Sequence, residues 1–307
     1  MNVTTMSGPC PAELGAPLRV GFVGAGKVGV ALGLHAASHG ATISGYASRT
    51  QASADAAAKR TGTASFTSLR ELLESTDIIF ITTPDGTISQ VAGELAAAAD
   101  GDLCGKVVAH ASGALGSCEL DAARAAGAAC ASVHPLAAVS TLPADDAAAA
   151  NPLASAFFTL EGDPTAVKAA EALLDACGNQ HTCIDAADKV RYHAAAVFMS
   201  NLVCGLASEG LALLEECGFT ADQAFTATRA LFIGNCEAIA ARGPQDALTG
   251  PVERNDTTTV ARHLEALEGR KRSEYALLSL AACELAKRRH PERDYAPLED
   301  MLGASAK

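Results

Sequence analysis

The stretch VGFVGAGKVGVALG, residues 20–33, decides how this chain folds. A short apolar strand runs into a turn with three glycines and then into a helix of small residues. The first glycine permits a tight turn, the second lets the backbone approach a pyrophosphate, and the third lets the helix pack closely on the strand. This setting predicts a bound dinucleotide, with a glycine-rich turn lacking any ligand as the alternative. The expected cofactor contacts in this turn are Gly24, Ala25, Gly26, Lys27, Val28 and Gly29.

Strand and helix patterns alternate through the first part of the chain, which is typical of a parallel sheet with helices on both faces. The clearest predicted strands are 18–23, 41–46, 77–82 and 106–111, followed by weaker or later ones at 63–66, 128–133, 157–160 and 180–184. We therefore predict an α/β fold with a doubly wound, mostly parallel sheet.

The chain changes character near residue 185, after which no convincing strand pattern remains. Helices are predicted at 187–217, 221–241, 257–267 and 270–289, with glycines and prolines at the breaks. We predict a flexible leader at 1–17, a dinucleotide-binding domain at 18–185 and an all-helical domain at 186–307.

Composition narrows the class of protein. The formal net charge of -12 argues against nucleic acid or an anionic membrane as partner. No signal sequence and no run of about 18 uncharged apolar residues is evident, so we expect a cytoplasmic protein. The ten cysteines are scattered without metal-binding spacing, and we expect buried cysteines and no metal site.

The end of the second strand indicates which dinucleotide binds. An NAD site usually places an Asp or Glu there, about 20 residues after the glycines, to bind the ribose hydroxyls. This chain instead has Ser48, Arg49 and Thr50, and Asp55 falls within the next predicted helix. Hydroxyl and guanidinium donors suit a 2′-phosphate, so we predict NADP as the cofactor. An Arg49 that only contacts solvent is the alternative.

Polar residues follow three further strands, and ligands of such sheets bind beyond the carboxyl ends of the strands. Thr83, Pro84 and Asp85 are predicted to contact the cofactor, and Ser112 and His134 the substrate. Each has a structural alternative, since turns and helix caps use the same residue types.

The helix that opens the second half carries a polar stripe. At about 100° per residue, Lys189, Tyr192, His193 and Ser200 share one face, and Asn201 lies on its flank. We predict Lys189, His193 and Asn201 as catalytic residues that donate a proton and orient the substrate. The alternative is that these polar groups only mark the exposed start of the helix and that Asn201 is a core amide with its hydrogen bonds satisfied. Asp256 is a helix cap by its pattern and a further candidate for substrate binding.

The motifs GFVGAGKVG, TTPD, HASGALG, SVHPL, EGD, YHAAAVFMSNL and ALTGPVERND follow one another in order. Together they resemble a bacterial family that joins a Rossmann-like domain to a C-terminal helical domain of unknown function. That family is related to pyrroline-carboxylate reductase, ketopantoate reductase and the β-hydroxyacid dehydrogenases. The resemblance implies NADP binding, an active site between the domains and a homodimer formed through the helical part. The K-x-x-N pattern of the β-hydroxyacid dehydrogenases is missing, because the third residue after Lys189 is Tyr192 and not an asparagine.

Two functions remain open at this point. The first is an NADP-dependent oxidoreductase that transfers hydride to a small carbonyl or imine substrate in the cleft between the domains. The second is an NADP-binding sensor or partner protein without catalysis. The sequence identifies neither the substrate nor which residue donates the proton.

Overall fold

A computed structural model describes residues 18–143 and 150–307 of the chain. Packing divides the chain into two compact units, Met1–Ser200 and Asn201–Lys307. The leader predicted at 1–17 lies outside the described residues. The domain boundary predicted at residue 185 falls before the last helix of the first unit.

The first unit is built on one eight-stranded sheet. Its strands are β1 (Arg19–Val23), β2 (Thr42–Ala47), β3 (Ala64–Ser65), β4 (Ile78–Ile81), β5 (Val107–His110), β6 (Ala129–Pro135), β7 (Phe158–Gly162) and β8 (His181–Cys183). They lie in the order β3-β2-β1-β4-β5-β6-β7-β8, and every neighbouring pair is parallel except β6 with β7. The predicted doubly wound, mostly parallel sheet is therefore confirmed.

Helices cover both faces of this sheet. They are α1 (Lys27–Ser38), α2 (Gln51–Thr61), α3 (Leu69–Glu74), α4 (Ile88–Ala98), α5 (Asp121–Ala125) and α6 (Pro164–Ala176). A further helix of this unit, α7 (Lys189–Phe198), buries only Lys189. Successive strand residues point to opposite faces, so Ile78 and Phe80 join one core with α1, α2 and α6. Ile79 and Ile81 join a second core with α3, α4 and α5.

The strand order reverses at β1, which has β2 on one side and β4 on the other. The connections after β1 and β4 leave in opposite directions, which opens a crevice at the carboxyl ends of these two strands. The glycine turn that follows β1 lies at this crevice. The predicted location of the cofactor motif within the fold is thus the one observed.

The second unit contains five helices among its described residues. They are α8 (Asn201–Glu216), α9 (Ala221–Ala247), α10 (Thr257–Ala266), α11 (Gly269–Arg289) and α12 (Ala296–Ser305). Gly243 has a φ of 78° and kinks α9 before Pro244. The small apolar core of this unit lies among α10, α11 and α12. The sequence patterns missed α12 and predicted one helix at 187–217, which is two helices separated at Met199 and Ser200.

Helices α8 and α9 bury very little. No residue of α8 is buried, and only Ala224 and Ala247 of α9 are. Leu202, Leu206, Phe225 and Leu231 have exposed fractions of 48%, 54%, 62% and 74%. These values define an exposed apolar surface on α8 and α9, which we call the α8–α9 surface.

Two structural findings bear on the expectations from composition. Residues 186–216 form a helical stretch that is long and apolar enough to span a membrane by length and composition alone, and none of its most apolar window is buried. Six of the nine cysteines described are exposed, against the expectation that they are buried: Cys104, Cys118, Cys183, Cys204, Cys217 and Cys236.

Candidate functional site

The glycine turn after β1 packs directly against the end of β4. Gly24 has a φ of 110°, and a Cβ there would lie 2.8 Å from the carbonyl carbon of Thr82. The Thr82 hydroxyl donates a hydrogen bond of 2.8 Å to the Gly24 carbonyl oxygen. At Gly29, a Cβ would come within 2.5 Å of the same hydroxyl oxygen. Both positions therefore require glycine, and the turn is held rigidly at the crevice.

Gly26 has a different environment, because no atom lies within 4 Å of the position that a Cβ would occupy. Gly26 caps α1 without a side-chain hydrogen bond, and the first turn of the helix contains no acidic residue. The first amides of α1 thus remain available to an anion, and the exposed Lys27 adds positive charge. Ala25 and Val28 are only partly buried in this turn. These features fit a pyrophosphate group.

The end of β2 presents donors and no carboxylate. Arg49 is exposed and has no hydrogen-bond or ion-pair partner within residues 18–143 and 150–307. Thr50 shares a hydrogen bond of 2.7 Å with Ser53, and the partly buried Ser48 lies between β2 and Arg49. Asp55 lies within α2, where it accepts hydrogen bonds from Gln51 and Ser65. A free guanidinium beside two hydroxyls fits a phosphate group at this position.

At the end of β4, Thr83 has a buried hydroxyl oxygen that lacks a hydrogen-bond partner. Such a group is costly unless a ligand satisfies it. The Thr83 backbone nitrogen adjoins the glycine turn, 2.9 Å from the position that a Gly24 Cβ would occupy. Pro84 begins the next turn, in which its carbonyl oxygen accepts from the amide and the hydroxyl of Thr87. Asp85 extends toward β5 and accepts a hydrogen bond of 2.8 Å from Ser112.

Through its hydrogen bond to Asp85, Ser112 connects the end of β4 to a group of polar side chains at the ends of β5 and β6. Its backbone amide donates to His110 Nδ1 at 3.2 Å, and its hydroxyl accepts from the Leu115 amide at 3.2 Å. Ser112 is buried, so these bonds fix both its backbone and its side chain. We call the whole group the Lys189 cluster; its members are Asp85, Ser112, Ser132, His134, Lys189, Tyr192 and His193.

Lys189 is the charged centre of this cluster. Only 2% of its surface is exposed, and its Nζ donates to the Ser132 hydroxyl at 2.7 Å and to the Ser112 carbonyl oxygen at 3.1 Å. No carboxylate within the described residues forms an ion pair with it. Burial lowers the pKa of Lys189 to about 8, against the opposing fields of Glu161 and Asp85. An ammonium with such a pKa is suited to proton transfer near neutral pH.

Two histidines and a tyrosine complete the cluster. His134 Nδ1 and the Tyr192 hydroxyl share a hydrogen bond of 2.7 Å. Burial lowers the pKa of His134 to about 4, with further contributions from Lys189 and His193, so His134 is neutral at physiological pH. Burial also raises the pKa of Tyr192. His193 Nδ1 is buried and has no hydrogen-bond partner.

Gly113 lies between the two histidines. A Cβ at this position would come within 2.4 Å of His193 Nδ1 and 2.7 Å of His134 Nε2. Only glycine therefore allows the strand end to approach both imidazoles. The unpartnered nitrogen of His193 lies in this narrow space, where it is available to a hydrogen-bonding ligand.

Three residues in or beside the Lys189 cluster were not among the residues predicted for the site. Ser132 lies inside the predicted strand 128–133, whereas His134 follows it, so the rule of strand ends finds only His134. Tyr192 shares the polar face of α7, but its contact with His134 cannot be inferred from helix periodicity. Glu161 on β7 is buried and accepts hydrogen bonds from the amide and hydroxyl of Ser117, at 2.6 and 2.8 Å. It pairs with Ser132 in the antiparallel register of β6 and β7.

Asn201 and Asp256, two of the predicted site residues, belong to the second unit. Asn201 is the first residue of α8. Asp256 caps α10, as its pattern predicts: one carboxylate oxygen accepts from the Thr259 amide at 3.0 Å and the other from the Thr259 hydroxyl at 2.7 Å. Their roles at the substrate, and a substrate site between the domains, stay predictions.

Comparisons with sequence families agree with the architecture. Residues 7–135 match the family of the Rossmann-like domain, and residues 156–282 match DUF2520, a domain of unknown function. The predicted resemblance to a family with these two parts is confirmed. A search of curated protein sequences finds no significant match.

Solved structures from several organisms share the fold along nearly their whole length. A protein from Thermotoga maritima is 23% identical with a TM-score of 0.63, covering 89% of this chain and 100% of that chain. A protein from Bacteroides fragilis, described only provisionally as an NADP oxidoreductase, is 19% identical with a TM-score of 0.64, covering 87% and 98%. Pyrroline carboxylate reductase from Plasmodium falciparum, with NADP bound, is 16% identical with a TM-score of 0.56, covering 92% and 98%.

Proposed function

The chain joins a Rossmann-like domain to a DUF2520 domain, and we propose that it is an NADP-dependent oxidoreductase that reduces a small carbonyl or imine. The observation that carries this proposal is the Lys189 cluster, a buried ammonium with a lowered pKa at the carboxyl ends of the strands. A reduced nicotinamide supplies the hydride when the cofactor is bound. The likeness in fold to an NADP-bound pyrroline carboxylate reductase supports the choice of reaction.

The first unit offers a separate group of residues for each part of the cofactor. Gly24, Gly26 and the first amides of α1 would hold the pyrophosphate, and Arg49 with its neighbouring hydroxyls would hold the 2′-phosphate. The unpartnered hydroxyl of Thr83 would bond to the part of the cofactor that passes the end of β4. This order along the crevice would direct the reactive end of the cofactor toward Asp85 and the other members of the Lys189 cluster.

Within the cluster, Lys189 would act as the general acid. At pH 7 its ammonium is protonated, and a pKa of about 8 makes the release of one proton easier than from an exposed lysine. The proton would go to the carbonyl oxygen or imine nitrogen as hydride reaches the adjacent carbon, which leaves a neutral amine on Lys189. Solvent then returns a proton to Lys189 before the next turnover.

The other members of the cluster would orient the substrate. The unpartnered His193 Nδ1 can bond to a substrate hydrogen-bonding group, and the neutral His134 is kept in place by Tyr192. Ser112 and His134 would form the wall of the site, as the sequence predicts. Asn201 and Asp256, which belong to the second unit, are further proposed substrate contacts.

One observation favours the alternative, an NADP-binding sensor or partner protein without catalysis. Two of the three hydrogens on Lys189 Nζ are used in bonds to Ser112 and Ser132, and the side chain is almost fully buried. A lysine with a purely structural role would have the same contacts. The two functions agree on cofactor binding and differ only in turnover.

The deciding experiment measures binding and turnover separately. NADPH binding is followed by the fluorescence of the reduced nicotinamide, and turnover by loss of its absorbance with a panel of small ketones, keto acids and cyclic imines. We expect binding in both the natural protein and Lys189→Met, with turnover in the natural protein alone. Binding without turnover of any substrate supports the sensor, and failure to bind NADPH contradicts both functions.

We also propose that the protein is a homodimer formed through the helical domain. The α8–α9 surface supports this, because large apolar side chains at this exposure are expected to be covered by a partner. A second copy of the chain offers the same surface, which allows a symmetric contact.

A further inference from the structure

His35, His39 and Cys177 lie together at a place that the proposed reaction does not use. His35 is in the last turn of α1, His39 is the residue after that helix, and Cys177 is the residue after α6. One potential ligand atom from each lies within 4.8 Å of the other two. Two imidazole nitrogens and a thiolate sulfur form a ligand set typical of Zn²⁺.

The hydrogen bonds around His35 fix which of its nitrogens carries the proton. The Asn179 amide nitrogen donates to the carbonyl oxygens of Leu153 and Ala156, at 2.8 and 3.0 Å. The Asn179 side-chain oxygen must therefore face His35 Nε2, which lies 2.6 Å away. Nε2 donates this hydrogen bond, so Nδ1 of the neutral imidazole retains its lone pair. A second bond of this kind is what orients histidine ligands at metal sites.

The same argument applies to His39. The Ser38 hydroxyl donates its hydrogen to the His35 carbonyl oxygen at 2.7 Å, so toward His39 it can only accept. His39 Nδ1 lies 3.1 Å from that hydroxyl and 2.9 Å from the His35 carbonyl oxygen. Because both neighbours are acceptors, Nδ1 carries the proton and Nε2 has a free lone pair. Both histidines are thus held in tautomers that can bind a metal.

The two helix ends add a favourable field for a cation. Helices α1 and α6 contain 12 and 13 residues, and the negative ends of both dipoles lie at these three side chains. Cys177 Sγ has no hydrogen-bond partner within the described part of the chain. Burial raises the pKa of the Cys177 thiol to about 11, so the thiol keeps its proton until a metal displaces it.

We propose that His35, His39 and Cys177 bind one Zn²⁺ ion, with water as the fourth ligand on the exposed side of His39. Binding forms two Zn–N bonds and one Zn–S bond, and the thiol proton of Cys177 passes to solvent. Tetrahedral bonds to Zn²⁺ bring ligand atoms to about 3.3–3.8 Å from one another, which requires small rotations of these side chains. The ion would link the ends of α1 and α6. The sequence predicted no metal, because these ligands come from two distant segments without a recognisable spacing.

The test uses Co²⁺ as a spectroscopic probe and Zn²⁺ as its competitor, on the full chain after treatment with a chelator. We expect a thiolate-to-cobalt charge-transfer band that one equivalent of Zn²⁺ removes. Cys177→Ser should abolish the band, and His39→Asn should lower the affinity for Zn²⁺ at least tenfold. His39 is exposed, so this second variant tests the site without disturbing the core.

The matched controls are Cys183→Ser and His181→Asn, on β8, which should keep both the band and the affinity. Zn²⁺ at a hundredfold excess over its Kd should raise the Tm by about 5–10 °C in the natural protein and in these controls. Absence of the band, a band that persists in Cys177→Ser, or an unchanged affinity for Zn²⁺ in His39→Asn overturns the proposal. So does an equal rise in Tm in all the variants.

Discussion

A buried lysine without a carboxylate partner is a cost to folding as well as a resource for catalysis. The environment of Lys189 disfavours its charged form, since its Nζ has only the Ser112 carbonyl oxygen and the Ser132 hydroxyl as acceptors. The Ser132 hydroxyl can also donate to the Ser112 carbonyl oxygen, at 3.3 Å, so both remain bonded to each other without the lysine. Removing the charge should therefore leave the surrounding structure intact.

We predict how Lys189→Met changes stability with pH. The pKa of Lys189 is lowered in the folded protein, so between about pH 8 and 10.5 the unfolded chain binds more protons than the folded one. Stability then rises with pH, and the natural protein should gain about 2 kcal/mol over Lys189→Met between pH 7 and pH 10. The measurement is urea unfolding of both proteins at each pH. Lys59→Met, at an exposed site, is the control, and a pH-independent difference for Lys189→Met contradicts the prediction.

His134 should resist protonation. Its pKa of about 4, lowered chiefly by burial, lies below the ordinary 6.5, so between these values the folded protein binds fewer protons than the unfolded chain. Stability is therefore lost as the pH falls from about 6.5 toward 4. We expect the imidazole resonances of His134 to show no titration above about pH 5 in NMR spectra of the folded protein. A titration midpoint of His134 near pH 6.5 would contradict the buried position in which its imidazole is hydrogen-bonded to Tyr192.

Some individual residues of the candidate site can be predicted from the sequence, and others cannot. Ser112 and His134 follow from the strand-end rule, and Lys189 follows from helix periodicity. Ser132 and Glu161 face each other across β6 and β7, and their meeting depends on an antiparallel register. Alternation of apolar and polar residues shows which side chains of a strand face the core. It does not show which strand pairs with it, or whether the pair is parallel or antiparallel.

The element that we propose to select the cofactor is the end of β2 with the start of α2. Arg49→Ala should weaken NADPH binding by about 10–100-fold, as expected for loss of a hydrogen bond between charged groups, and leave NADH binding unchanged. Both Kd values are measured by nicotinamide fluorescence. Arg70→Ala, at an exposed arginine on α3, should change neither. An equal loss for both nucleotides would place Arg49 away from the 2′-phosphate.

Helix boundaries show what periodicity leaves undetermined. The pattern at 187–217 continues through Met199 and Ser200, yet the structure ends α7 at Phe198 and begins α8 at Asn201. No glycine or proline marks this break, so local sequence gave no reason to place it. The break nevertheless separates Lys189 and His193, which belong to the first unit, from Asn201 in the second. Of the predicted stripe, Lys189, Tyr192 and His193 lie within α7, and Asn201, predicted on its flank, begins the next helix.

At the scale of the whole molecule, the two units differ in how they are stabilised. The first has a large apolar core on each face of its sheet, whereas the second has one small core confined to α10, α11 and α12. Helices α8 and α9 contribute almost nothing to that core, although both carry many apolar residues. The hydrophobic effect alone would make this arrangement unfavourable unless the α8–α9 surface is covered.

We predict that Leu231→Glu shifts the protein from dimer to monomer. Leu231 is 74% exposed on α9, so a carboxylate at this position costs little in the single chain. In a dimer contact the same carboxylate would be buried without an opposite charge, which is costly. Sedimentation velocity over a range of protein concentrations measures the change. Arg229→Glu, two residues away on the same helix and pointing elsewhere, controls for the added negative charge. A natural protein that is monomeric at all concentrations contradicts the dimer. Binding of the natural protein, but not of Leu231→Glu, to lipid vesicles would instead assign the α8–α9 surface to a membrane.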